Sequence, residues 1–92
     1  MDKAQAPPPA EAAVTFENRR ESPLEVFWLD QDSKEVKMGE IAPRGSFEQR
    51  TYQGHRFRFK DRGHAVSEFV VGSAQTGQRH KINPSDGKND EL

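Results

Sequence analysis

Thr51-Tyr52-Gln53-Gly54-His55-Arg56-Phe57-Arg58-Phe59-Lys60 is the stretch that decides the fold. It reaches a strand end, turns at Gly54, then alternates ring and base for six residues. His55, Phe57 and Phe59 fall on one side; Arg56, Arg58 and Lys60 fall on the other. A two-residue period of this kind marks a half-buried antiparallel strand, since a helix would bring the rings together only every third or fourth position.

Working outward, the same short rhythm recurs. Residues 13–18 place Val14 and Phe16 on one face. After a polar turn closed by Pro23, residues 24–29 are apolar on both faces near their end, as in a central strand. Asp30 to Lys34 read as a hairpin loop, and residues 35–41 as a strand bulged at Gly39. Ala42-Pro43-Arg44-Gly45 turns the chain into residues 46–52, a mostly polar strand suited to a sheet edge. Beyond the central stretch, Asp61-Arg62-Gly63 is a turn, residues 68–71 and 79–82 are strands, and residues 72–78 link them. Seven short strands with a turn signal at nearly every gap predict an all-β, seven-stranded antiparallel β-sandwich. Val14, Phe16, Leu29, Ile41, Phe59, Phe69 and Val71 are its expected core.

The chain has 92 residues, of which 32% are hydrophobic and 32% charged, so one small domain with a lean core is expected. Three regions follow: a Pro/Ala-rich disordered leader (1–12), the β domain (13–82) and a polar disordered tail (83–92). The proline run at 7–9 is read as linker rather than as a ligand for proline-binding grooves. The final Asn-Asp-Glu-Leu is a variant of an endoplasmic-reticulum retention address, which is not read without a signal peptide; a cytoplasmic location is expected.

Net charge is −1, with acids and bases interleaved, which favours neither nucleic acid nor an anionic membrane as partner. Cysteine is absent, and His55, His64 and His80 lack metal-ligand spacing, so neither a disulfide framework nor a metal or other cofactor is expected. No nucleophile elbow, phosphate loop or dinucleotide fingerprint is present. Asp30 and Asp32 read as solvated turn carboxylates, and His64 and His80 as surface residues. A non-catalytic module, monomeric, is the expectation.

Three segments resemble the β domain of the von Hippel–Lindau tumour suppressor family. They are Val14-Thr15-Phe16-Glu17-Asn18-Arg19, Val26-Phe27-Trp28-Leu29-Asp30 and Tyr52-Gln53-Gly54-His55, continued by Phe57 and Phe59-Lys60-Asp61. The spacing from Trp28 through Pro43 to the Tyr-x-Gly-His turn fits without a gap; beyond Asp61 the likeness thins. The resemblance implies a seven-stranded sandwich that recognises 4-hydroxyproline in an extended peptide. Carried over by position, it places aromatic walls at Trp28 and Phe57 and hydroxyl partners at Thr51 and His55, beside Tyr52. A peptide-binding tyrosine of the family falls on Met38, which has no hydroxyl to donate. In the family a helical domain follows and binds the adaptor of a ubiquitin ligase. Nothing after Ile82 forms such helices, so that adaptor is not an expected partner of this chain.

The leading expectation is therefore a peptide- or protein-binding module acting through Trp28, Met38, Thr51, Tyr52, His55 and Phe57. The alternative is an accessory domain of a larger hydrolase or hydroxylase. A third reading makes Trp28, His55 and Phe57 simply core, and the exposure of Trp28 separates it from the others.

Overall fold

A computed structural model of the chain describes residues 10–87. Seven strands follow in order: β1 (Glu11–Asn18), β2 (Leu24–Leu29), β3 (Glu35–Ile41), β4 (Ser46–Tyr52), β5 (Arg56–Asp61), β6 (His64–Val70) and β7 (Gln78–Ile82). They form a three-stranded sheet ordered β4-β1-β7 and a four-stranded sheet ordered β3-β2-β5-β6, packed as a β-sandwich. Every pairing is antiparallel except β1 with β7, which run parallel. β7 comes to lie beside β1 because the chain leaves β6, in one sheet, and returns through residues 72–77 to the far edge of the other.

Alternation sorts the side chains. Val14, Phe16 and Asn18 of β1, Val26 of β2 and Phe57 and Phe59 of β5 point between the sheets and are at most 1% exposed. Phe16 is the hub, its ring centroid 5.3 Å from Phe57, 4.8 Å from Phe59 and 6.1 Å from Phe69. Leu24, Ile41, Val71 and Ile82 complete the core. Of the expected core, Phe69 is half-buried against this cluster, and Leu29 is buried but stands outside it, on the face of β2 shared with Arg56.

The sheets meet edge over edge. On one side β3 covers β4: a β-carbon on Gly39 would lie 3.0 Å from the Phe47 ring, so the glycine makes room for this aromatic from the opposite sheet and any side chain there would push it aside. The bulge in β3 falls at Met38, one residue before the expected site, because Val26 pairs with Gly39 while Phe27 pairs with Lys37. On the other side β6 covers β7, with Ser67 bonded to His80. The β5–β6 connection is a two-residue turn in which both Arg62 (φ 52°) and Gly63 (φ 84°) are left-handed, the twist a tight hairpin requires.

β5, which runs to Asp61, and β7, which begins at Gln78, each shift by one residue from expectation, and three larger differences have a physical reason. β1 begins at Glu11, inside the expected leader, because Ala12 and Ala13 pair with Thr51 and Arg50 of β4. β6 begins at His64 rather than at 68, since the tight turn returns the chain at once into pairing with β5. Asn83 to Gly87 form a turn rather than a frayed tail, held by Arg20, whose guanidinium donates to the carbonyls of Asn83, Pro84 and Asp86. The proline run at 7–9 and the residues at 89–92 lie outside the described region.

Candidate functional site

The turn from β4 into β5 gathers most of the predicted site. Gly54 donates its N–H to the Val71 carbonyl and Val71 donates to the His55 carbonyl, pinning the turn to the end of β6. A further bond from His55 N–H to the Tyr52 carbonyl closes the turn itself. His55 is thereby held between two rings, with centroids 5.6 Å from Trp28 and 5.4 Å from Tyr52. Thr51 Oγ1 lies 3.4 Å from His55 Nδ1, a long hydrogen bond. Trp28 and His55 are half-buried, Thr51 is 6% exposed and Tyr52 is 40% exposed, so the cluster grades from core to solvent. The indole N–H of Trp28 is shielded from water and has no acceptor, an unpaired donor beside the imidazole.

Two predicted members are placed differently from expectation: Phe57 lies opposite Trp28 in register but deeper, and Met38 lies on the edge strand β3. Phe57, expected as the second wall, is 1% exposed and packed on Phe16: two positions after His55 it has already passed from the rim into the core. Met38 sits at the β3 bulge with 41% exposure, beside the equally exposed Val36 on an edge strand. Val36 pairs with Trp28, which sets it on the same face as that ring. Thr51 and Tyr52 also border a cleft of about 380 Å³ whose other walls are the start of β1 and the loop residues Gln75 and Thr76; Trp28 and His55 stand outside it. What the four residues share is an open ring cluster rather than an enclosed pocket.

Two bases of the β5 stripe, Arg58 and Lys60, are neutralised within their own sheet, while Arg56 donates to the Asp30 carbonyl and the Ser33 hydroxyl. Arg58 pairs with Glu35 and Glu68, Lys60 pairs with Glu35 and lies 5.1 Å from the Phe27 ring centre, and Lys37 bridges Glu25 and Glu40. The Lys60 and Arg58 hydrogen bonds hold the Glu35 carboxyl below its ordinary pKa. Asp30 serves its own loop, its carboxylate accepting from the N–H groups of Asp32 and Lys34.

Three polar clusters escaped the sequence reading. The Asn18 side chain, 1% exposed, donates to the carbonyls of Ser22, Ile41 and Ala42 and accepts from Arg20 N–H, tying β1 to two turns. Asp61, 8% exposed, accepts from Arg20 Nε at 3.0 Å and Ser22 Oγ at 3.1 Å. Burial pushes its pKa up, but the Arg20 and Ser22 bonds outweigh burial and hold the carboxyl below its ordinary value. His80, expected at the surface, is half-buried: its ring stacks on Phe69 at 4.9 Å, and its Nε2 lies 2.6 Å from Ser67 Oγ. The signal was alternation: His80 is opposite Phe16 in register and so faces inward, which its basic neighbours Arg79 and Lys81 disguise.

No protein-family model matches the sequence, and no curated protein matches it.

Proposed function

We propose that the chain is a β-sandwich binding module of von Hippel–Lindau type, which docks an extended peptide against Trp28, Thr51, Tyr52 and His55. The ligand class is a peptide carrying a hydroxylated proline. The observation that carries this reading is the succession of the Trp28, His55 and Tyr52 rings, the imidazole tilted 40° to the indole and 60° to the phenol, with a threonine hydroxyl at the imidazole. Core packing alone gives no reason to hold an imidazole at a half-exposed rim between two rings. A proline ring seeks flat apolar faces, and its added hydroxyl requires hydrogen-bond partners once water is removed. Tyr52 takes the place of the second wall, because Phe57 is committed to the core. Met38 and Val36 extend the apolar surface along the neighbouring edge strand.

Titration of the full chain with paired proline and 4-hydroxyproline peptides, following amide shifts from Thr51 to Phe57, tests the reading. Shifts confined to this segment, with preference for the hydroxylated peptide, are expected. A site that satisfies a hydroxyl discriminates strongly against the analogue lacking it. Equal response to both peptides removes hydroxyproline as the ligand, and shifts that avoid the segment remove the site.

A further inference from the structure

We infer that the half-buried seat of His80 between β6 and β7 is an acid-sensitive latch: charging the ring weakens the docking of β7 on β6 and loosens the loop at 72–77 that walls the cleft beside Thr51. The inference does not depend on any ligand.

The latch occupies a weak seam. β6 and β7 are edge strands of different sheets, so no backbone ladder joins them, and Ser67 Oγ to Nε2 of His80 is the side-chain hydrogen bond between them. β7 itself is a five-residue strand whose ladder is its parallel pairing with β1. The imidazole enters an aromatic setting, stacked on Phe69 of β6 and 5.4 Å from Phe59 of β5, with Phe16 of β1 opposite it in register. Ser67 Oγ can accept from a protonated Nε2 as well as donate to a neutral one, so it is the half-buried niche, which takes water from the charge, that disfavours the charged ring. Burial pushes the His80 pKa down; Asp86, in the turn after β7, is the charged group acting on it and pulls the other way with smaller effect. The imidazole is therefore neutral at pH 7 and becomes charged only by leaving its niche or at its expense.

Release would travel toward the cleft through Gln78, the first residue of β7. Its side-chain amide accepts from Gly72 N–H at 2.8 Å and donates to the carbonyls of Gly72 and Ala74, folding the loop onto the strand. The Gln75 carbonyl in turn accepts from Ala13 N–H, and Gln75 and Thr76 form the cleft wall facing Thr51. A loosened β7 takes that wall with it.

The test is residue-resolved hydrogen exchange of the full chain from about pH 7.5 to about pH 5, together with NMR titration of each histidine ring. His80 is expected to titrate below the ordinary histidine value of about 6.5. Protection factors of β7 and of residues 72–77 should fall by about tenfold per pH unit below that value until the folded pKa is passed, while β2 and β5 hold theirs. In His80→Phe the fall should vanish. Ser67→Ala, which leaves the ring in place, should lower β7 protection already at pH 7 and covers the case in which His80→Phe does not fold. A His80 titrating at or above the ordinary value, β7 protection flat across the range in the native chain, or a fall that persists in His80→Phe would each overturn the latch.

Discussion

Phe59 meets Phe16 edge to face, centroids 4.8 Å apart and planes at 71°, and this contact joins the two sheets at the centre of the sandwich. Both rings are fully buried, so neither has water to replace a lost partner. Phe59→Ala should cost about 3–5 kcal/mol, the range for deleting a core aromatic. In a domain stabilised by ~5–10 kcal/mol this is a severe loss, readable as the shift of a urea midpoint. A loss below ~1 kcal/mol would show that the sheets hold together without the ring.

Arg20 offers a prediction with a pH signature. Its guanidinium is the main compensation for the buried Asp61 carboxylate, and Arg20→Ala should destabilise by about 3 kcal/mol at neutral pH. The folded pKa of Asp61 is depressed, so its contribution is present above about pH 3.9 and lost as pH falls through the folded value. Without Arg20 only Ser22 and Arg62 offset burial, so the depression of that pKa shrinks and with it the stability gained when the carboxyl ionises. The gap between the two proteins should therefore be wide at pH 7 and narrow in acid. A gap independent of pH would place the role of Arg20 in its carbonyl bonds alone.

Gly87 stands where a side chain has no room. Its φ is 79°, and an added β-carbon would lie 2.6 Å from the Val66 Cα, a backbone atom that does not move aside. Gly87→Ala should lift the 83–87 turn from β6 and break its bonds to Arg20, at about 1–3 kcal/mol. For a domain of this size that is a fall in Tm of roughly 4–8 °C per kcal/mol, measurable by a thermal melt. An unchanged melt would mean the turn contributes nothing to the folded state.

The ring cluster makes its own test. Thr51→Val combined with His55→Ala should abolish preference for a hydroxylated peptide while leaving the sandwich folded, because the polar partners go and the walls Trp28 and Tyr52 stay. Met38→Tyr should strengthen binding by about 0.5–1.5 kcal/mol, the net worth of one neutral hydrogen bond. Calorimetric titration of each variant against both peptides decides the matter, and a double variant that still prefers the hydroxylated peptide would remove Thr51 and His55 from the site.

Local pattern alone determined the strand count, most boundaries, the central place of β2, the edge place of β4 and part of the core (Val14, Phe16, Ile41, Phe59 and Val71), while Leu24, Val26, Phe57 and Ile82 joined it only in the packed sandwich. The reason is that a strand's two-residue period is written in each segment without reference to any other, as in Phe57 and Phe59 against Arg56 and Arg58. What a segment meets across the sandwich is not written there. The parallel docking of β7 on β1 decided that His80, between two bases, faces Phe69 rather than water. The depth of each residue along β5 decided that His55 stays at the rim while Phe57 is drawn into the core. Arg20 and Asp61, 41 residues apart, read as two unremarkable turn charges until the fold makes Asp61 the end of β5 and sets them 3.0 Å from each other. Periodicity is a property of neighbours in the chain, whereas burial and pairing belong to neighbours in space, and only the packed sheets decide those.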